Sequence, residues 1–271
     1  MCGIYGGHPD LLAHDADQQL RHRGPDQQGV REVADPLGRA ILLGQTRLSI
    51  VDRHDVPVPL TIGDATLVYN GEVYNWRDLR SQLETRGHTF TTQTDTEVVL
   101  AAYLAWGPSC LDKFNGMFAL AIHQGDTLFL ARDRLGKKPL YVVHDNAPGD
   151  ERKLAFASEI KAFADLHYAP DAACERLEFY YDEMTCFTAG GANAYPVTSV
   201  RPGESLTINL RTGAAVPHTW WRLPAFDETL DDEAEALRLF LDTFTSACAL
   251  RKLADVPVTT FLSGGIDSPL I

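Results

Sequence analysis

At 271 residues the chain has room for one large domain or two small ones, at roughly 150 residues per domain. Apolar residues make up 45%, enough for a core, while 24 basic against 37 acidic side chains leave a net charge of −13. That charge excludes a protein that works by neutralising nucleic-acid phosphates, and it disfavours docking on an anionic membrane.

The N-terminal four-fifths alternates short β-type runs with Gly, Pro, Asn and Asp punctuation. Strands are expected at Cys2 to Gly6, Arg39 to Val51, Ala65 to Tyr69, Met117 to His123, Thr127 to Ala131, Pro139 to His144, Leu154 to Ala157 and Ser205 to Leu210. Most neighbours are too close for crossover helices, so antiparallel pairing is expected. Helices are expected over Trp76 to Arg86, with Leu79 and Leu83 on one face, and over Asp95 to Trp106, with Val99, Leu100, Tyr103 and Leu104 on one face. The second opens with Thr94-Asp95-Thr96-Glu97, a capping box in which Thr94 and Glu97 satisfy backbone donors reciprocally. The class is α+β.

After Trp220-Trp221 the chain turns acidic around Pro224, which reads as a linker, and a helix follows from Glu233 with Leu237, Phe240, Leu241 and Phe244 as its apolar stripe. Val256 to Leu262 then reads as a buried strand running into Ser263-Gly264-Gly265-Ile266-Asp267-Ser268, with Pro269 suited to the first position of a helix. The expected units are 1–213, a linker at 214–232, and 233–271.

Five cysteines, Cys2, Cys110, Cys174, Cys186 and Cys248, lie far apart without a CxxC pair, which suggests neither a disulfide framework nor a metal site. Cys2 is the one with a chemical use. Removal of Met1 would leave one residue carrying both a thiol and an α-amine of pKa about 7.7 to 8.0, so nucleophile and base would arrive together. Asn70-Gly71 alone reads as a two-residue hairpin turn, and Asp95 as a carboxylate complementing a helix N-terminus. No apolar run approaches the ~20 residues of a bilayer span, and the N-terminus lacks signal-peptide character. A cytoplasmic protein is expected.

Several segments occur in a fixed order: Cys2-Gly3-Ile4, Arg21-His22-Arg23-Gly24-Pro25-Asp26, Arg47-Leu48-Ser49-Ile50-Val51-Asp52, Tyr69-Asn70-Gly71-Glu72-Val73-Tyr74-Asn75, Asp95-Thr96-Glu97, Ala131 to Tyr141, and Ser263 to Ser268. Together they resemble the glutamine-hydrolysing asparagine synthetase family, over essentially the whole chain. The resemblance implies an N-terminal-nucleophile hydrolase, an αββα sandwich of two antiparallel sheets, followed by a truncated α/β nucleotide-binding fragment. It implies that Cys2 attacks the amide carbon of L-glutamine, and that Asn70 and the Gly71 N–H form the oxyanion hole. Arg47 would hold the α-carboxylate, Glu72 and Asp95 would receive the α-amino group, and Leu48, Ser49, Ile50 and Val51 would complete the pocket. The glutaminase needs no cofactor. Leu262, Ser263, Gly264, Gly265, Asp267 and Ser268 would be part of an ATP site, with ATP and magnesium serving the complete synthetase reaction.

One helix, one strand and a loop cannot make a doubly wound nucleotide domain, so ATP binding by this chain alone is doubtful. The chain is expected to be either the amidotransferase half of a two-chain enzyme or a truncated product. A separate synthetase chain and a homodimer are the partners left open. Two alternatives stand beside aspartate amidation: a glutaminase serving a different carboxylate, and a non-catalytic regulatory or scaffolding relative. The remaining cysteines are expected to pack, and the segments Arg21 to Asp26 and Asp133 to Lys138 to fix loops, with the lysine pair a solvated turn.

Overall fold

The computed structural model describes residues 1–52, 56–144, 153–168, 187–189, 195–225 and 232–271. The strands are β1 (Gly3–Gly7), β2 (Gln27–Ala34), β3 (Ala40–Arg47), β4 (Leu60–Ile62), β5 (Ala65–Val73), β6 (Gly116–Gln124), β7 (Thr127–Arg132), β8 (Tyr141–His144), β9 (Leu154–Ala157), β10 (His167–Tyr168), β11 (Phe187–Ala189), β12 (Tyr195–Ser199), β13 (Glu204–Asn209) and β14 (Ala215–Thr219). The helices are α1 (Ala16–Leu20), α2 (Trp76–Glu84), α3 (Asp95–Trp106), α4 (Glu233–Leu250) and α5 (Asp267–Leu270).

Among the described residues the strands form two sheets, ordered β10-β11-β12-β8-β9-β1-β3-β2 and β14-β13-β7-β6-β5-β4. Every pairing between these strands is antiparallel. Strand alternation explains the layering. On β6, Phe118, Leu120 and Ile122 join α2 and α3 in one core, whereas Ala119 and Ala121 join Ile4, Ile41, Leu43 and Phe156 of the other sheet in a second. A third core lies beyond the eight-stranded sheet, where Leu11, Ala16 and Leu20 cover Tyr5 and Ala157.

Local chemistry accounts for α3. Thr94 is its N-cap, and its Oγ1 accepts the Glu97 N–H at 3.3 Å. The capping box is only half made, because Glu97 turns to the preceding loop and takes the N–H groups of Thr91 and Thr92 at 2.9 and 2.7 Å. The expected single apolar face is also corrected: Asp95 to Tyr103 are all buried, since the helix is enclosed by α2, the sheet and the site.

Four further expectations change. Asn70-Gly71 is no turn but lies within β5, paired with Ala119 and Phe118; nine residues of ladder outweigh a two-residue preference. Ala215 to Thr219, read as linker, is the edge strand β14, where Pro217 is tolerated. Val256 to Leu262 forms no strand and is largely exposed, with Phe261 at 99%; a strand needs a sheet to pair with. Pro269 sits third in α5 rather than first. Cys174 and Cys186 lie outside the described residues; Cys110 is buried and Cys248 half-buried.

Candidate active site

The site forms where β1 begins and β3 ends. Gly3 pairs with Thr46, so Cys2 lies just beyond the ladder, opposite Arg47. Its backbone is pinned on both sides: Arg23 Nε donates to the Cys2 carbonyl at 3.0 Å, and the Gly3 N–H donates to Thr46 Oγ1 at 3.1 Å. Arg23 in turn donates to Glu159 at 2.8 Å. Cys2 Sγ lies 3.9 Å from the Leu48 carbonyl oxygen. Burial pushes the Cys2 thiol up, the Leu48 contact pulls it down, and the nearby terminal amine does the same. That amine, carried here by Met1, is itself held below its ordinary value, chiefly by burial.

Cys2 opens onto a cavity of about 130 Å³, space for roughly ten water-sized groups and so on the scale of one free amino acid. Of the residues expected here, Arg47, Leu48, Ile50, Val51, Asn70, Gly71, Glu72 and Asp95 line it. Ser49 does not; its N–H donates to Asp26 at 2.8 Å and fixes the loop from outside.

The wall opposite Cys2 is the edge of β5. β4 pairs only with Ala65 to Leu67, so the strand is uncovered from Val68 onward. The Tyr69 N–H is taken by Gln45 Oε1 at 3.1 Å, and the Val73 N–H by Asp95 Oδ2 at 2.9 Å. Alternate residues share an edge, so Gly71, midway between them, turns its N–H to the same side. Gly71 must also be glycine on packing grounds, because a Cβ there would meet the Met117 carbonyl at 2.5 Å and Phe118 Cα at 2.7 Å. Asn70 is 1% exposed, and neither its Oδ1 nor its Nδ2 has a partner among the described residues. A buried amide left this way costs about 1–3 kcal/mol, and Asn70 borders the cavity, where a hydrogen-bonding group would relieve that cost.

Arg47 Nη2 donates to the carbonyls of Val51 and Asp52 at 2.9 and 2.6 Å. Asp95 accepts from the Tyr69 hydroxyl at 2.8 Å as well as from Val73. Burial raises Asp95, against those bonds; burial and then Asp95 raise Glu72. The two carboxylates and Arg47 line one cavity.

Lys138 corrects the solvated-turn reading: Lys137 is exposed, but Lys138 is buried and lines the cavity. Asp133 accepts the N–H groups of Phe118, Leu135, Lys137 and Lys138, while Arg132 donates to the carbonyls of Gly136, Lys138 and Val200. These bonds fold the loop so that Lys138 points inward, where burial lowers its pKa and Glu72 and Cys2 raise it. Gln45, Thr94, Thr96 and Met117 also line the cavity; Thr94 and Thr96 stand in the capping segment, and nothing in their spacing marks Gln45 and Met117.

The second motif is placed elsewhere. The Ser263 N–H and Oγ both meet Ser268 Oγ at 2.8 Å, and the Gly265 N–H donates to Ser263 Oγ at 3.3 Å. Leu262, Ser263, Gly264, Gly265 and Asp267 are exposed, Ser268 is half-buried, and α5 has four residues. The described residues therefore supply a loop whose amides bond within itself and no crevice around it, which by themselves do not fit a nucleotide. Among the described residues no cluster of three metal-ligating side chains occurs, and no helix is long and apolar enough to cross a membrane.

Two antiparallel sheets between helices set a near-terminal cysteine, an unpartnered carboxamide and a free strand edge around one cavity. Comparison with solved structures agrees on the fold: a glutamine phosphoribosylpyrophosphate amidotransferase from B. subtilis superposes with a TM-score of 0.57 at 20% identity, covering 81% of this chain and 49% of that one. Residues 1–221 match the glutamine amidotransferase domain family, and the chain belongs to it; residues 239–271 match the asparagine synthase family. Two curated relatives from Bacillus subtilis, asparagine synthetase [glutamine-hydrolyzing] 3 and 1, are 35% and 33% identical over 93% and 100% of this chain. The chain spans only 40% and 43% of their lengths.

Proposed function

We propose that this chain hydrolyses L-glutamine to glutamate and ammonia through a Cys2 thioester, and that the ammonia serves ATP-dependent amidation of aspartate to asparagine. The observation that carries the first half is the buried, unpartnered Asn70 amide beside the Gly71 edge, in one cavity with Cys2. In the reaction Cys2 Sγ adds to the side-chain amide carbon as its proton passes to the α-amine freed by loss of Met1. The oxygen becomes an oxyanion that accepts hydrogen bonds from Asn70 Nδ2 and the Gly71 N–H. Collapse breaks the C–N bond, and the amine returns the proton to the leaving nitrogen, releasing ammonia. Water then attacks the thioester, and the sulfur leaves and regains its proton. Arg47 receives the α-carboxylate while Asp95 and Glu72 receive the α-ammonium.

The amidation half rests on the asparagine synthase match at 239–271 and on what the curated relatives are called. In a longer protein or a two-chain enzyme, Leu262 to Ser268 would contribute to an ATP site and magnesium would act with the nucleotide; no step is assigned to either in this chain.

The purified chain should release glutamate from glutamine without ATP, and Cys2→Ala should abolish the release. Undiminished activity in the variant would refute the nucleophile.

A further inference from the structure

The turn that follows α4 comes back onto the loop that closes the amino-acid end of the cavity. Asp255 lies there, 203 residues along the chain from Asp52. Its N–H donates to the Ile50 carbonyl at 2.9 Å, and its Oδ2 accepts the Asp52 N–H at 2.8 Å. Leu253 lies in the same place, lining a small cavity with Val51, Glu72, Val73 and Asp95. The Arg251 guanidinium stands 5.0 Å from the centroid of the Tyr74 ring.

Asp52 is the strained point of this loop. Its φ is 49°, in the left-handed region that costs a non-glycine residue free energy and persists only where neighbours impose it. Three bonds do so. Asp255 takes its N–H, Arg47 Nη2 donates to its carbonyl at 2.6 Å, and its own Oδ2 accepts the Gln93 N–H at 2.9 Å. The conformation of Asp52 therefore sets where its carbonyl stands, and that carbonyl, with the Val51 carbonyl on the same Nη2 and the Gln27 side chain on Nη1 at 3.3 Å, helps set the direction of the Arg47 guanidinium.

We propose that Asp255 is a positioning residue for glutamine, holding Asp52 and through it Arg47 in the orientation that receives the α-carboxylate. This rests on the reading of Arg47 given above. Asp255 belongs to the segment matching the asparagine synthase family, so the hydrogen-bonded path Asp255–Asp52–Arg47 ties glutamine affinity to the placement of that segment. By reciprocity, glutamine binding tightens the same contact.

Steady-state glutaminase kinetics on the full chain test this. Asp255→Ala should raise KM for glutamine roughly three- to tenfold, the worth of one hydrogen bond, and leave kcat unchanged. Asp255→Asn should keep the wild-type KM, because the amide oxygen still accepts the Asp52 N–H. Alkylation of Cys2 by iodoacetamide should proceed at the wild-type rate in both, since the thiol itself is untouched. A wild-type KM in Asp255→Ala alongside a raised KM in Arg47→Lys would overturn the proposal, as would an Asp255→Asn variant as impaired as the alanine. An unchanged KM in Arg47→Lys would instead bring down the carboxylate reading on which it stands.

Discussion

Residues 1–221 and residues 233–271 carry equally clear apolar patterns and meet opposite fates. In the first, strands alternate between two cores, and Phe118 is fully buried in the core it shares with α3, its ring stacked on Trp220. In the second, α4 has no buried residue, and Phe240 remains 52% exposed, its ring stacked on Phe244 at 5.6 Å. A periodic stripe predicts a helix wherever it occurs, but stabilisation comes from the surface it covers. The exception in the second region is the short turn at Leu253 to Asp255, which does find partners, and finds them at the active site.

The contrast makes the same deletion differ by region. Phe118→Ala should destabilise the chain by about 3–5 kcal/mol, through lost burial and a residual cavity, measured as a shift in urea midpoint. Asn70→Ala, buried on the other face of the same sheet, should behave differently. We expect kcat to fall about 100-fold, in line with loss of an oxyanion donor, while the urea midpoint is unchanged or rises, because a buried amide without a partner is removed. A variant that lost stability in proportion to activity would show Asn70 to be structural.

Glu97 supplies a smaller effect with a pH signature. Burial opposes its charge, but the bonds from Thr91 and Thr92 prevail and hold it below the usual carboxylate range. A depressed folded-state pKa stabilises the fold above the ordinary value near 4.3, and the contribution is lost as pH falls through the lowered value. Glu97→Gln should cost about 1–2 kcal/mol at neutral pH and flatten the acid limb of the stability curve. The smallest effect returns to α4: Phe240→Ala should change the urea midpoint by no more than about 0.5 kcal/mol equivalent. A loss matching that of Phe118→Ala would erase the distinction between the two regions.

The sequence was most readable where local chemistry and tertiary context agree. α3 runs from Asp95 to Trp106 as its cap and length indicate, and β9 occupies Leu154 to Ala157 as expected. It misled where a local signal competes with pairing. Asn-Gly favours a turn in isolation, yet the β5–β6 ladder runs through it, and the same placement is what leaves Gly71 on an open edge. Val256 to Leu262 has strand composition and no strand beside it. Lys138 was illegible because its inward direction is imposed by Asp133 and Arg132 through backbone bonds. Gln45 and Met117 were illegible because strand residues reach the cavity by register, which no spacing motif encodes.

The mechanism requires Cys2 to act from a freed N-terminus. Peptide mass spectrometry of the active chain, after reaction with a glutamine analogue bearing an electrophile at its amide end, tests this most directly. The expected result is a single adduct on Cys2, an N-terminal peptide lacking Met1, and protection by excess glutamine. Active protein that retains Met1, or an adduct on Cys110 or Cys248 with Cys2 unmodified, would contradict it.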